Sequence, residues 1–419
     1  MREQIEGSQA VARTVAACAP QVICAYPISP QTHIVETLSA LVQSGRLSGC
    51  EYLNVESEFA AMSACIGASA TGARTYTATA SQGLLHMAEP VYNASGLGLP
   101  IVMTFANRAI GAPINIWNDH SDAMSQRDSG WIQLYAETNQ EACDLHVQAF
   151  ALAERLSLPV MVCMDGFVLT HAVEEVEVPC AEAVAAYLPP YEPRQALDPA
   201  EPLSIGAMVG PEAFTEVRYL AHVRQLRALA LIPELAERFT AQFGRESGGL
   251  VRPYRCEDAE TIVVALGSVL GTIKDVVDER REQGDRIGAL GIGAFRPFPL
   301  DVVRAALQGC RRAVVVERAF SVGVGGIVSA DVRTALAGSG VRVPTVVAGL
   351  GGRPVTKAAL HGMLDAAEDD RYEHQQLTFL DLDTDLIAGE LDRIARDAAA
   401  GSGAERLLRE LGTVRSTPH

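Results

Sequence analysis

Apolar positions in the first 180 residues alternate between two spacings. Gly7–Ala17 has helical spacing and leads into an apolar run, Gln21–Tyr26, closed by Pro27 and Pro30. A second helical stretch carries Ile34, Leu38, Leu41 and Val42 on one face and stops at Gly45. The same reading predicts a strand at Tyr52–Val55, a small-residue helix from Ser57, a strand at Arg74–Ala80 and a helix from Ser81. Leu99–Ala106 and Pro159–Met164 read as further strands on either side of a helix at Asn139–Arg155. Short apolar runs separated by helical segments predict βαβ units and a parallel sheet.

The rhythm breaks between about Cys180 and Glu257. This stretch is proline-rich to Pro202 and then holds one long helical segment, Glu212–Phe243, with apolar and charged residues intermixed. It reads as a connection packed on its neighbours. From Thr261 the alternation resumes, with strands predicted at Thr261–Leu266, Ile287–Gly291, Ala313–Val316 and Thr345–Ala348. The expected organisation is an α/β domain over 1–180, a bridging segment over 181–257, a smaller α/β domain over 258–360 and an acidic, helical, strand-free tail over 361–419.

Composition narrows the function classes. The 419 residues carry 34 Lys+Arg against 51 Asp+Glu, a formal charge of −17, and 48% are hydrophobic. An acidic chain of this kind lacks the basic footprint of a nucleic-acid or anionic-membrane binder. All but two of the basic residues are arginine, the lysines being Lys274 and Lys357; this reads as coding bias. The nine cysteines form no C-x-x-C and no zinc spacing, so they read as buried reduced thiols of a cytoplasmic protein that holds no iron–sulfur cluster of its own. No segment has the length and lipid-facing composition of a membrane span.

Ligands of open parallel sheets sit beyond the carboxyl ends of the strands. The residues there are Pro27-Ile28-Ser29-Pro30, Glu56-Ser57-Glu58, Thr79 to Gly83, Asn107-Arg108 and Asp165-Gly166. Glu58 has two readings: a first-turn acid complementing its helix dipole, or a carboxylate in a nearly dry cleft. Arg108 is the only charge between Glu89 and Asp119, so it either meets a buried acid or awaits an anion. Four other clusters are set aside. Ser81 in TASQG lacks the first glycine of a nucleophile elbow. Asp119-His120-Ser121-Asp122 reads as a polar loop. Gly267 to Gly271 lacks the full dinucleotide motif and reads as a tight turn. Asp381, Asp383 and Asp385 have Leu386 where a calcium loop needs glycine.

Several long motifs resemble one family. YPISPQT (26–32), NVESEFAAMSACIGASATGARTYTATASQGLLHM (54–87) and NRAIGAPINIWNDHSDAMSQRDSGWIQ (107–133) are similar to the α chain of the pyruvate:ferredoxin oxidoreductases, which are thiamine-diphosphate enzymes. FRPFP (295–299) and GLGGRPVTK (349–357) resemble that family's second domain. The resemblance covers about residues 1 to 360. It implies a pyrimidine-type thiamine-diphosphate-binding parallel-sheet domain followed by a transketolase C-terminal-like α/β domain.

The same resemblance implies the roles. Glu58 corresponds to the glutamate that hydrogen-bonds the cofactor's aminopyrimidine ring, with Pro27 and Ile28 beside it. Arg108 corresponds to the arginine that pairs with the carboxylate of a 2-oxoacid. Ser29 stands where the family usually has threonine, which keeps a hydroxyl near the substrate and leaves more room. Pyruvate is the expected substrate and phenylglyoxylate the alternative. The diphosphate-binding half with its Mg²⁺ motif is expected on a β subunit, since Met164-Asp165-Gly166 is no such motif. Iron–sulfur clusters are expected on γ and ferredoxin-like δ partners, with coenzyme A as acyl acceptor and ferredoxin, or NAD through another subunit, as electron acceptor. No metal is assigned to residues of this chain. The rival readings are a non-oxidative thiamine enzyme and a non-catalytic assembly scaffold.

Overall fold

The computed structural model describes residues 2–369, 371–372, 377–396, 407 and 411. Its first sheet has seven strands in the order Ala294–Arg296, Ile132–Tyr135, Val160–Asp165, Ile101–Asn107, Thr75–Thr79, Val22–Ala25 and Glu51–Asn54. All neighbours are parallel except Ala294–Arg296, which runs antiparallel to Ile132–Tyr135. Every residue of Ile101–Asn107 and Val160–Asp165 is buried, as expected of central strands covered on both faces.

The chain leaves Val22–Ala25 to one side for Glu51–Asn54 and then crosses to the other side for Thr75–Thr79. Such a reversal makes a crevice at the carboxyl ends. Pairing fits this: Val22–Ala25 matches Glu51–Asn54 along four residues but meets Thr75–Thr79 only at Val22 with Thr75 and Ile23 with Tyr76. Beyond that point the strands part, and the fully buried Gln31 bridges them. Its Nε2 donates to Tyr26 O at 2.9 Å and to Ala78 O at 3.3 Å.

The second sheet has six strands in the order Leu377–Phe379, Thr345–Val347, Arg312–Glu317, Thr261–Ala265, Ile287–Ile292 and Val251–Tyr254. It therefore reaches back into the expected bridge and forward into the expected tail. The tail is not strand-free, since Leu377–Phe379 pairs parallel with Thr345–Val347. The helix Lys357–Glu368 likewise runs through the boundary expected at 360. Within the expected bridge, Phe214–Phe243 is one helix whose C-terminal half buries Ala228, Leu231, Ile232, Leu235 and Phe239, while its first half is largely exposed.

The two sheets share a core. Phe105, Trp131 and Tyr135 of the first domain lie in one apolar cluster with Ile262, Leu290 and Val315 of the second. Seven of the nine cysteines are buried, and all nine are free; Cys180, expected to be buried, is exposed. Among the described residues no helix is long and apolar enough to cross a membrane.

Candidate active site

Ser57 caps the helix Glu58–Ala70, its hydroxyl accepting from Ala60 N at 3.2 Å. The cap fixes Glu58 in the first turn, where only 7% of it is exposed. Its Oε2 lies 3.1 Å from His86 Nδ1, on the short helix Ser81–His86 that follows the next strand. That helix approaches closely because of Gly83: a Cβ there would lie 2.5 Å from Thr79 Oγ1 and 2.9 Å from Glu58 Oε1. Thr79 Oγ1 is itself buried without a hydrogen-bond partner. The site thus has a nearly buried carboxylate, a hydroxyl with unused hydrogen-bonding capacity and a side-chain-free position beside them.

Arg108 follows the strand Ile101–Asn107 and is 6% exposed. Its Nη1 donates to Ser29 O at 2.8 Å and its Nε to Asn115 O at 3.4 Å. Two carbonyls thus hold the guanidinium, and among the described residues no carboxylate pairs with it. Burial lowers its pKa, with the nearby Asp122 opposing. Ser29 is brought to Arg108 through its carbonyl, and Ser29 and Pro27 are exposed with Ile28 half-buried between them.

The segment 119–122 departs from expectation. It is no solvated loop: Asp119, His120 and Asp122 are all buried. Asp122 accepts from Ser81 N at 3.0 Å, Arg108 N at 2.6 Å and Asn107 Nδ2 at 3.0 Å. One carboxylate so holds the starts of the two segments that carry His86 and Arg108. Burial pushes its pKa well up, against the lowering effect of those hydrogen bonds.

Asp165 is a second hub, and it is saturated. It accepts from His120 Nε2 at 2.7 Å, Arg318 Nη1 at 3.0 Å, Ser268 N at 2.9 Å and the Ser268 hydroxyl. Burial would raise its pKa, but Arg318 and His120 hold it well below the usual carboxylate range. Ser268 belongs to the 267–271 turn, which is the tight turn expected, with Gly267 at φ 75°. The second domain also grips the Arg108 loop: Gly352 N donates to Asn118 O at 2.8 Å and Asn115 Nδ2 to Gly351 O at 3.2 Å. A Cβ on Gly352 would lie 2.4 Å from Trp117 Cβ.

The remaining clusters do structural work. Ser81 sits at φ 50°, and its hydroxyl donates to Ala109 O at 2.5 Å. Asp383 caps the following helix, accepting from Leu386 N at 2.9 Å. Sequence reading weighed Asp122 within the 119–122 cluster and set it aside; His86 and Arg318 were missed because nothing in the sequence marks them.

A family model described as pyruvate flavodoxin/ferredoxin oxidoreductase, thiamine diphosphate-binding, matches residues 13–235. The chain belongs to this family. The pyruvate:ferredoxin oxidoreductase core domain II matches residues 259–360. The pyruvate synthase subunit PorA of Methanosarcina barkeri is 46% identical over 392 residues, covering 91% of this chain and 97% of that one. The ketoisovalerate oxidoreductase subunit VorA of Pyrococcus abyssi is 37% identical, covering 90% and 96%. The fold is also that of a 2-oxoglutarate:ferredoxin oxidoreductase from Magnetococcus marinus, at TM-score 0.65 and 17% identity; the alignment covers 87% of this chain and 65% of that one. Among family features, the first sheet is the thiamine-diphosphate-binding domain, and its crevice is where Glu58 and Arg108 stand.

Proposed function

We propose that this chain is the α subunit of a coenzyme A-acylating 2-oxoacid oxidoreductase that decarboxylates pyruvate and passes electrons to iron–sulfur clusters on partner subunits. The observation that carries it is that the carboxyl edge of a thiamine-diphosphate-binding domain presents both a nearly buried carboxylate, Glu58, and a buried guanidinium, Arg108, with no paired carboxylate among the described residues. The residues fit the cofactor. Gly83 lets its helix come close against Glu58 Oε1, and beside it the Thr79 hydroxyl is buried without a hydrogen-bond partner.

Glu58 would hold a proton at the aminopyrimidine ring, with His86 orienting the carboxylate through Oε2, while Pro27 and Ile28 border the ring. Thiamine diphosphate, once bound, supplies a nucleophilic carbon that adds to the keto group and retains the electron pair released with CO₂. Arg108 would bind the substrate carboxylate through N–H groups left over from Ser29 O and Asn115 O, a task suited to its planar fork. The Ser29 hydroxyl would lie beside the substrate.

The diphosphate and its Mg²⁺ are assigned to a β subunit. Asp165, in the one sequence resembling a metal motif, already accepts from three residues. A partner surface is available: Tyr26, Phe59, Leu85, Ile114 and Trp117, on the loops and helices at this edge, are exposed. Clusters on γ and δ chains, and ferredoxin as acceptor, follow the same assignment.

Glu58→Gln in the assembled complex tests it. The amide keeps the size but cannot take up the proton, so kcat with pyruvate and coenzyme A should fall about 10²–10⁴-fold while the cofactor stays bound. Undiminished turnover would refute the role of Glu58, and a complex devoid of cofactor would favour a scaffold. Faster turnover of phenylglyoxylate than of pyruvate would reassign the substrate.

A further inference from the structure

We propose that Glu6, His33 and His171 form a binding site for a divalent transition metal of the zinc class. Among the described residues they are the one group of three such side chains whose ligand atoms all lie within 4.8 Å of one another. Three separate elements supply them. Glu6 ends the strand Arg2–Glu6, His33 is in the first turn of the helix Thr32–Gln43, and His171 lies in the turns after Val160–Asp165. One carboxylate and two imidazoles, with positions left open, are a donor set that zinc uses.

The geometry is pre-organised. His33 Nδ1 is 2.6 Å from Glu6 Oε1, and the two imidazole centroids are 4.8 Å apart. The segment bearing His171 is bound to the helix that follows Glu6: Gly7 N donates to Ala172 O at 3.0 Å, Ser8 N to Thr170 O at 2.9 Å and Ser8 Oγ to Thr170 O at 2.8 Å. Thr170 Oγ1 lies 2.8 Å from His171 Nδ1. With the Nδ1 proton directed there, Nε2 keeps a free lone pair, the outer-shell arrangement common to metal-binding histidines.

The position links this site to the crevice. His33 lies four residues after Ser29. Phe167 stacks against both His171, at 4.7 Å, and Trp117 of the Arg108 loop, at 4.8 Å. An ion here would tie the helix that follows Ser29 to the segment carrying His171, whose neighbour Phe167 touches Trp117 of the Arg108 loop.

The test is calorimetric titration of the metal-stripped full-length chain with Zn²⁺, which needs no turnover and so stands or falls apart from the proposed activity. One ion per chain should bind saturably. His33→Ala, His171→Ala and Glu6→Gln should each weaken binding about tenfold or more, with each metal-free variant still folded. Absence of saturable binding, or wild-type affinity in His33→Ala and His171→Ala, would overturn the site.

Discussion

Arg108 shows how much a single side chain's surroundings constrain its use. A guanidinium that is 6% exposed has lost most of its hydration, yet its fixed partners are neutral carbonyls. Those carbonyls set the plane of the fork, and among the described residues no carboxylate pairs with it, which favours completion by an anion. Lysine would keep the charge but not the fork, and could not hold both carbonyls while meeting a carboxylate. Arg108→Lys is therefore expected to raise KM for the 2-oxoacid about tenfold or more, an amount equivalent to about 1.4 kcal/mol, with KM for coenzyme A unchanged. Equal kcat/KM in the two enzymes would remove Arg108 from substrate binding. Glu58 differs in that its surroundings are supplied by another element, through Gly83 and His86.

Elements rather than residues decide where these groups meet, and Asp122 is the clearest case. Its carboxylate receives N–H groups from Ser81, Arg108 and Ala123 and the amide of Asn107. Asp122→Asn places an NH₂ among those donors, so at least one would be left unsatisfied in a dry site. The expected cost is about 1–3 kcal/mol in denaturant unfolding, together with a raised KM for the 2-oxoacid as the Arg108 backbone shifts. Wild-type values of both would refute the role. Burial also raises the pKa of Asp122, so this group alone disfavours the fold as pH rises from its unfolded value toward its folded one.

This hub was set aside in the sequence because adjacency suggested a loop, whereas Asp122 lies buried on the short helix Ser121–Ser125 ahead of the next strand. That strand, Ile132–Tyr135, was missed as well: the fully buried Gln133 interrupts its apolar run, and its amide donates to Ala123 O at 3.0 Å. Arg2–Glu6 and Val173–Glu177 pair as a ribbon in which only Ile5 and Val176 are buried, which leaves no periodicity to read. The central strands were legible because burial on both faces leaves them almost wholly apolar. Glu58 and Arg108 were legible because each is a charge within such a neighbourhood.

At the scale of the whole molecule, the two α/β units are joined by a shared apolar core and by buried polar contacts, among them a junction centred on Asp165. Asp165 at the end of a first-sheet strand meets Arg318 and Ser268 of the second domain, and Arg318 also donates to Asn118 Oδ1 at 2.8 Å. Both charges are almost fully buried, so removing one strands the other. Asp165→Asn should therefore destabilise the full-length chain by about 3–5 kcal/mol at neutral pH, read from denaturant unfolding. The pH dependence fixes the cause. Because the folded pKa of Asp165 lies below the ordinary 3.8, its ionic contribution is fully present above about pH 5 and is lost as pH falls through the folded value. The stability difference between wild type and Asp165→Asn should stay constant from pH 7 to about pH 5 and narrow below about pH 4. A difference independent of pH down to the acid transition would mean that packing around Asp165, and not its charge, joins the two domains.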